Sequence, residues 1–208
     1  MKIVSVEAVP ISYRVPEGNN VRLGIGRAVK RDAVLIKVTT EDGVIGWGES
    51  HHGRCPGAIA KLVDTTIREL VVGLDARNNV EVWSKVYQMQ LATHGMGYAS
   101  AMALSGLDMA LWDIRGKTLD LPLYRLLGGA KSPIRAYAGG ISLGWQEPKK
   151  LAEEASMHIN SGYRALKLRV GDSPVRDVAR VEAVREELGE DIEIMAVSYT
   201  HLTLPTKA

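Results

Sequence analysis

The sequence predicts an α+β domain, made of an antiparallel strand meander and a helical bundle, followed by a segment in which strands and helices alternate. Three observations predict this order. Apolar residues recur at every second position through most of the first 50 residues and at every third or fourth position from about residue 57 to residue 119. Beyond residue 130, short apolar runs alternate with helical patterns, which is typical of parallel βα units. A domain boundary is therefore expected at 130–133.

The composition is that of an ordinary globular protein, with 208 residues of which 46% are hydrophobic and 24% are charged. The net charge is only +2 and acidic and basic residues are interspersed, so no electrostatic footprint for nucleic acid or a membrane surface is present. A single cysteine, Cys55, cannot form an internal disulfide. With no signal-peptide pattern or membrane-length apolar run, we expect a cytoplasmic protein that binds small molecules.

The first third reads as three antiparallel strands, at residues 3–13, 33–40 and 44–47, with Asp42-Gly43 as the turn between the last two. Residues 16–30 separate the first two strands and read as a loop rich in glycine and asparagine. Loops of this length in a compact domain are commonly lids or binding loops. The segment is therefore a lid candidate.

Three helices are expected between residues 57 and 119. The first two carry the apolar stripes Ile59, Leu62, Val63, Ile67, Leu70 and Val80, Trp83, Val86, Tyr87. The third combines a leucine-rich stripe with small residues, and Pro122 ends it. Its stripe is Leu104, Leu107, Leu111 and Ile114, and its small residues are Ala103, Gly106 and Ala110. A helix this thin is expected to pack closely against its neighbour.

The βα segment is expected to begin with a strand at residues 134–138 and a helix at 148–160 that Gly162 closes. A strand at 165–170, a helix started by Ser173-Pro174 and an apolar run at 192–195 follow.

The strand at 165–170 carries the clearest chemical signal. Side chains alternate along a strand, so Lys167 and Arg169 share one face while the leucines between them share the other. On a barrel strand the cationic face would point inward, where active sites gather, and desolvation beside a like charge would favour the neutral, proton-accepting amine. The alternative is a half-exposed strand whose two cations are simply solvated, which would give the same pattern.

A family resemblance rests on the run ALSGLDMALWDIRGK at residues 103–117, followed by PLYRLLG at 122–128. Together they resemble the signature of the mandelate racemase/muconate lactonizing enzyme family of the enolase superfamily. The hairpin end GWGE at 46–49, the strand PIRAYA at 133–138 and the lysine-bearing strand GYRALKLR at 162–169 are similar to family segments.

The resemblance implies an α+β N-terminal capping domain (antiparallel meander plus helical bundle) over residues 1–130. The first two or three units of an incomplete TIM-type (β/α) barrel would follow over residues 131–195. Lys167 and Arg169 would be the catalytic positions, and loops of the capping domain would contact the substrate. The substrate-binding positions implied there are Arg22, Ile25, Glu49, His51 and His52.

The resemblance also implies a reaction. A base removes the proton α to the carboxylate of a small acid while Mg²⁺ stabilises the enediolate, as is established for enolase-superfamily sites. Dehydration, racemisation or cycloisomerisation would follow, with dehydration of an acid sugar favoured. A homo-oligomer is expected for the parent protein.

Two departures from the family pattern bear on that expectation. Arg169 stands where the family often has its second lysine, and a guanidinium that stays protonated is a poor base. It would instead hold a substrate oxygen or tune Lys167, leaving proton abstraction to a base elsewhere in the barrel. The second departure is at residues 196–208, where no carboxylate follows Glu193 and the sequence resembles a non-native tail.

Because the family's Mg²⁺ ligands are carboxylates from later strands, no metal ligand is expected within this chain. The 75 residues after position 133 are far fewer than the roughly 250 of a complete barrel. Two alternatives therefore stand: a Mg²⁺-dependent enzyme for the parent protein, and a catalytically inactive fragment with a capping or oligomerisation role for the chain alone.

Three weaker signals are not assigned a function. His51, His52 and Cys55 lack the usual spacing of a zinc site. The glycine clusters at 24–26 and 139–140 lack the spacing of a dinucleotide site and read as turns. Asp108 and Asp113 lie five residues apart on one helix, hence on different faces, and are read as structural.

Overall fold

The computed structural model describes residues 1–18, 20–23, 26–93, 95–139 and 142–198. The contacts divide the chain into two units. The first unit is Met1–Tyr13 with Arg31–Ser132, and the second is Arg14–Lys30 with Pro133–Ala208.

The strands are β1 (Ile3–Arg14), β2 (Val21–Leu23), β3 (Gly26–Ala28), β4 (Lys30–Thr40), β5 (Ile45–Ser50), β6 (Ala165–Arg169) and β7 (Glu193–Val197). The helices are α1 (Pro56–Leu62), α2 (Arg68–Val71), α3 (Asn79–Thr93), α4 (Tyr98–Leu119), α5 (Leu123–Leu126), α6 (Pro148–Asn160) and α7 (Pro174–Leu188), with a π-helical turn (Val63–Ile67) joining α1 to α2. In the described part of the chain, none of these helices is long and apolar enough to cross a membrane.

The predicted meander is confirmed as a three-stranded sheet in the order β1-β4-β5. Strands β4 and β5 are antiparallel, and the turn between them lies where Asp42-Gly43 predicts it. Gly43 has a φ of 80°, a conformation that glycine adopts without steric cost, and its N–H donates to the carbonyl of Thr40 at 2.9 Å.

The predicted loop at residues 16–30 contains regular structure, so the loop assignment is wrong in part. Strands β2 and β3 form an antiparallel hairpin in which Arg22 pairs with Arg27. Three-residue strands that carry charges and glycines give no period-two pattern, which is why the sequence reads as a loop. The positions Asn19, Gly24 and Ile25 lie outside the described residues.

The predicted helices form a bundle, and the apolar stripe predicted for α4 is buried. The stripe predicted for α3 is wrong in part, because Val80 is 76% and Trp83 40% exposed and the buried face carries Val82 with Val86. Leu107, Leu111 and Ile114 of α4 are fully buried in the same core as Ile36 of β4. Helix α4 ends at Leu119, and the next residue, Asp120, caps it in a left-handed conformation two residues before Pro122. The core of the first unit therefore lies between the sheet and the helices.

Glycines bring β5 and α4 into backbone contact, which confirms the predicted close packing. A Cβ atom on Gly48 would lie 2.0 Å from the carbonyl oxygen of Gly106, and one on Gly46 would lie 2.1 Å from that of Ala110. No larger side chain fits at either position without moving the helix. On the outer edge of β5, the N–H of Trp47 donates to the Asp113 carboxylate at 2.8 Å.

The second unit has its own core between α6, α7 and the parallel pair β6-β7. The predicted bounds of α6 are confirmed, with Pro148 at its first turn and Gly162 in a left-handed conformation just beyond its end. Helix α7 begins after Ser173, whose hydroxyl accepts from the N–H of Arg176 at 3.4 Å.

The predicted strand at 134–138 is mostly absent from the described structure, which is a correction. Only Ala138 pairs with β6, through a parallel bridge to Leu166. Continuing that register backwards would place residues 134–136 opposite the turn that contains Gly162, where no strand is available. Ile134 accordingly remains 91% exposed.

Replacement of Gly106 by alanine tests the backbone contact between α4 and β5. The added methyl group would lie 2.1 Å from the Ser50 hydroxyl and 2.8 Å from its backbone nitrogen. We expect Gly106→Ala to lower the free energy of unfolding by roughly 2 kcal/mol, because overpacking outweighs the better helix propensity of alanine.

Gly57→Ala is the matched control, because a Cβ atom at this helical position meets nothing within 4 Å. Denaturant midpoints of both variants, followed by circular dichroism, give the comparison. Equal midpoints for the two would contradict the close approach.

Candidate active-site loops of the second unit

The two faces of β6 differ in burial as the alternation of its side chains predicts. Leu166 and Leu168 are completely buried in the core, whereas Lys167 and Arg169 are partly exposed. The Lys167 ammonium lies 5.5 Å from the centroid of the Tyr137 ring, within the range of a cation–π contact. The structure thus holds Lys167 beside an aromatic ring, and its assignment as catalytic, like that of Arg169, stays a prediction.

A loop at residues 142–147 lies next to the carboxyl end of β6, where the N–H of Arg169 donates to the carbonyl of Leu143 at 3.1 Å. Glu154 of α6 binds this loop through two hydrogen bonds. One of its carboxylate oxygens accepts from the N–H of Leu143 at 3.1 Å, and the other accepts a short hydrogen bond from the Gln146 amide. The carboxyl ends of parallel strands are the usual place for active-site loops in barrels.

Arg180 fixes the same loop from the other side. Its side chain is only 9% exposed and donates to the carbonyl of Gln146 at 2.9 Å, to Asp172 at 2.9 Å and to Asp177 at 3.1 Å. A buried guanidinium with three acceptors is well compensated for its lost hydration. The loops that follow Ala138 and β6 are therefore tied together.

The β2-β3 hairpin docks on this loop within the second unit. The N–H of Trp145 donates to the carbonyl of Arg22 at 3.1 Å. A Cβ atom on Gly144 would lie 2.4 Å from the Val21 side chain, so only glycine permits the contact. Residues of the hairpin and of the loop together line a cavity of about 440 Å³.

The polar residues of this cavity are Asn20, Arg22, Ser142, Trp145, Gln146 and Glu154. Of these, the sequence singled out Arg22 alone. The position of residues 142–147 directly after the predicted first barrel strand is the signal that could have pointed to the others. Ile25 lies outside the described residues, as do residues 199–208 of the predicted tail.

Glu49, His51 and His52 lie in the first unit, and their predicted contact with substrate stays a prediction. Glu49 is exposed at the end of β5. The two histidine rings stack at 4.4 Å, and each Nδ1 accepts a backbone N–H two residues later, from Gly53 at 3.1 Å and from Arg54 at 2.8 Å.

The two aspartates of α4, Asp108 and Asp113, contact neighbouring groups of the first unit. Asp113 accepts from the ammonium of Lys117 at 2.7 Å in addition to the Trp47 N–H. Burial raises the pKa of Asp108, and a hydrogen bond with Trp112 acts in the opposite direction.

The residues that the structure describes do not form the carboxylate shell that the resemblance implies for Mg²⁺. Across the described ranges, no group of three or more His, Cys, Asp or Glu side chains is placed to hold a metal ion.

Asp172 links the stability of the second unit to pH. The Arg176 and Arg180 guanidinium groups donate hydrogen bonds to it and hold the pKa of its carboxyl group well below the usual range. Because the folded chain binds this proton less readily than the unfolded chain, the stabilisation is present above about pH 4 and is lost as the pH falls further.

We therefore expect Asp172→Asn to flatten the fall in the denaturation midpoint below about pH 4. Asp191→Asn, which alters an exposed carboxyl group, serves as the control. An unchanged acid slope in Asp172→Asn, measured by circular dichroism, would show that the two arginines do not govern this titration.

Comparison with known proteins agrees with this architecture. Residues 6–128 match the family described as mandelate racemase / muconate lactonizing enzyme, N-terminal domain, and residues 150–206 match the enolase C-terminal domain-like family. The chain is 34% identical over 165 residues to arabinonate dehydratase from Saccharolobus solfataricus, covering 78% of this chain and 44% of that enzyme.

Solved structures give the same result. A crystal structure of an enolase-superfamily member from Polaromonas sp. JS666 superposes with a TM-score of 0.90 at 50% identity, covering 98% of this chain and 53% of that one. Dipeptide epimerase from Enterococcus faecalis, solved with Mg and a dipeptide, has a TM-score of 0.80 at 26% identity, with coverages of 94% and 53%. The chain spans about half the length of these proteins, and it belongs to the mandelate racemase/muconate lactonizing enzyme family of the enolase superfamily.

Proposed function

We propose that the complete protein abstracts the proton α to the carboxylate of a small acid in a Mg²⁺-dependent reaction. The observation that carries this proposal is the position of Lys167, which leaves the buried face of β6 and extends along the side opposite Leu166 and Leu168. Family membership and relatives that include an arabinonate dehydratase support the same chemistry.

Lys167 and Arg169 take different roles in this proposal. A neutral lysine amine accepts a proton, whereas a guanidinium keeps its protons and donates hydrogen bonds to oxygen. Lys167 is thus the candidate base on this strand, held beside Tyr137, and Arg169 is the candidate ligand of a substrate oxygen. A base from another strand is the alternative, in which case Lys167 orients the carboxylate.

Mg²⁺ would supply the positive charge that a doubly charged enediolate requires. Since the described residues contain no carboxylate shell for it, we assign no metal ligand among them. The matched relatives are about twice as long as this chain, and we propose that the ligands belong to the corresponding remainder of the protein.

A second candidate concerns the 208-residue chain by itself. Without a metal shell among its described residues, the chain alone would be catalytically inactive, and its role would be that of a capping or oligomerisation fragment. This alternative and the enzyme differ in whether Mg²⁺ binds.

The proton-abstraction step is tested by α-hydrogen exchange. In the complete protein with Mg²⁺ and a set of small acids in D₂O, we expect Lys167→Met to reduce the rate of α-deuterium incorporation by about 100-fold or more, the size of a lost general base. Mass spectrometry of the recovered acid gives the rate. Lys150→Met, at an exposed position of α6, is the matched control.

Exchange at the wild-type rate in Lys167→Met would assign the base to another residue. Exchange in neither the parent protein nor the variants, with every acid tested, would overturn the proposed reaction itself.

Titration with Mg²⁺ separates the enzyme from the fragment. Calorimetry should give saturable binding for the complete protein and only the dilution heat for the 208-residue chain. Saturable binding to the short chain, retained in high salt, would rule out the inactive-fragment alternative.

A further inference from the structure

Residues 52–55 form a tight turn between β5 and α1. The N–H of Cys55 donates to the carbonyl of His52 at 2.9 Å, and the two central residues, Gly53 and Arg54, have φ values of 55° and 60°. Turns with positive φ at both central positions favour glycine, asparagine or aspartate there. An arginine in this conformation carries a steric cost, so a further contact is expected to hold the turn closed.

The imidazole of His52 provides that contact. Its Nδ1 accepts a hydrogen bond from the N–H of Arg54 at 2.8 Å. Asparagine and aspartate side chains stabilise turns in the same way, by accepting the N–H two residues later. Only an imidazole nitrogen without a proton can accept such a bond, so this contact requires that Nδ1 be unprotonated.

A buried carboxylate lies close to the same nitrogen. The Oδ2 atom of Asp32 on β4 is 3.9 Å from Nδ1 of His52, and the Asp32 side chain is only 2% exposed. Its other oxygen accepts from the Ser12 hydroxyl of β1 at 2.6 Å. A ring movement on the order of 1 Å would bring Nδ1 within hydrogen-bonding distance of Oδ2. Nδ1 cannot make both bonds at once, because it accepts from Arg54 without a proton and donates to Asp32 with one.

We propose that His52 is a pH-sensitive switch of the turn at residues 52–55. The neutral imidazole accepts from the N–H of Arg54 and keeps the turn closed. The protonated imidazole donates from Nδ1 to Asp32 and releases that N–H, so Arg54 can leave its left-handed conformation and the turn opens. Histidine side chains ordinarily change charge between pH 5 and 8, so the switch operates in that range. It lies within the first unit and does not depend on the proposed function.

The groups around His52 have opposing effects on its protonation. The His51 ring stacks on it at 4.4 Å, and Arg54 and Cys55 follow in the same turn. A protonated His51 and the Arg54 guanidinium would oppose a positive charge on His52, whereas the carboxylate of Asp32 attracts it. Asp32 is therefore the group on which the open state depends.

The packing of the turn allows it to open without disturbing the core. Residues 51–55 are exposed or half-buried. The contact on the far side is with α4, where a Cβ atom on Gly53 would lie 3.0 Å from the ring of Tyr98. Tyr98 is itself 64% exposed, so it can follow a change in the turn.

The test is a pH titration of the 208-residue chain from pH 8 to pH 5, followed by nitrogen–proton correlation NMR. The imidazole nitrogen signals of His52 report whether Nδ1 carries a proton, and the backbone amide signal of Arg54 reports the turn. We expect both to change with the same midpoint. An Arg54 signal that stays in place while Nδ1 of His52 gains its proton would overturn the proposal.

Two variants separate the switch from other titrations. His52→Asn puts an amide oxygen at the position of Nδ1, where it still accepts from Arg54 but cannot gain a proton, so the Arg54 signal should keep its closed position down to pH 5. Asp32→Asn removes the negative charge at the same size and should lower the midpoint by about one pH unit. His51→Asn, the same substitution at the stacked neighbour, is the matched control and should retain the Arg54 transition.

Each variant can contradict the proposal. An Arg54 transition that persists in His52→Asn would assign it to another group, and an unchanged midpoint in Asp32→Asn would show that the carboxylate does not stabilise the open state. Loss of the transition in His51→Asn would transfer the switch to His51. The indole N–H signals of the four tryptophans, unchanged from the parent chain, show that each variant is folded.

Discussion

The contact between β5 and α4 is the constraint on which the first unit depends. Three glycines allow two backbones to meet where any side chain would separate them. Because β5 alternates, the choice of glycine at positions 46 and 48 also determines where Trp47 and Glu49 point, namely to the exposed face. On the outer edge of the strand, Asp113 accepts from the Trp47 N–H and Lys117 donates to the Ile45 carbonyl, so side chains of α4 take two of the backbone groups that an added strand would pair with.

In the second unit, polar side chains rather than glycines hold neighbouring segments together. Its loops at the carboxyl end of β6 are held by the buried guanidinium of Arg180 and the partly buried carboxylate of Glu154, beside the apolar packing of Leu143 in the core. The nearby acids are engaged in this arrangement. Asp172 accepts from two arginines, Asp177 accepts from Arg180 and backbone N–H groups, and Glu154 accepts from Leu143 and Gln146. Lys167 and Arg169 are the ionisable residues of β6 itself, and their catalytic roles stay predictions.

The elements that sequence patterns could predict are those bounded by strong local signals. Helix α6 lies between Pro148 and Gly162, and β6 shows a clean alternation of apolar and cationic residues, so both were predictable. The β2-β3 hairpin was not, because its short strands depend on docking against Gly144 and Trp145. The strand predicted at residues 134–137 is wrong for the opposite reason. Its composition is that of a strand, but within the described structure no neighbouring strand pairs with it.

The same distinction separates the two parts of the candidate site. Lys167 and Arg169 follow from the period of one strand, whereas Asn20 and Trp145 belong to two loops that tertiary contacts bring to one cavity. The buried guanidinium of Arg180 shows the same dependence on tertiary contacts, because its acceptors come from Gln146, Asp172 and Asp177 on two different loops and a helix. No period along a single strand or helix could have indicated that arrangement.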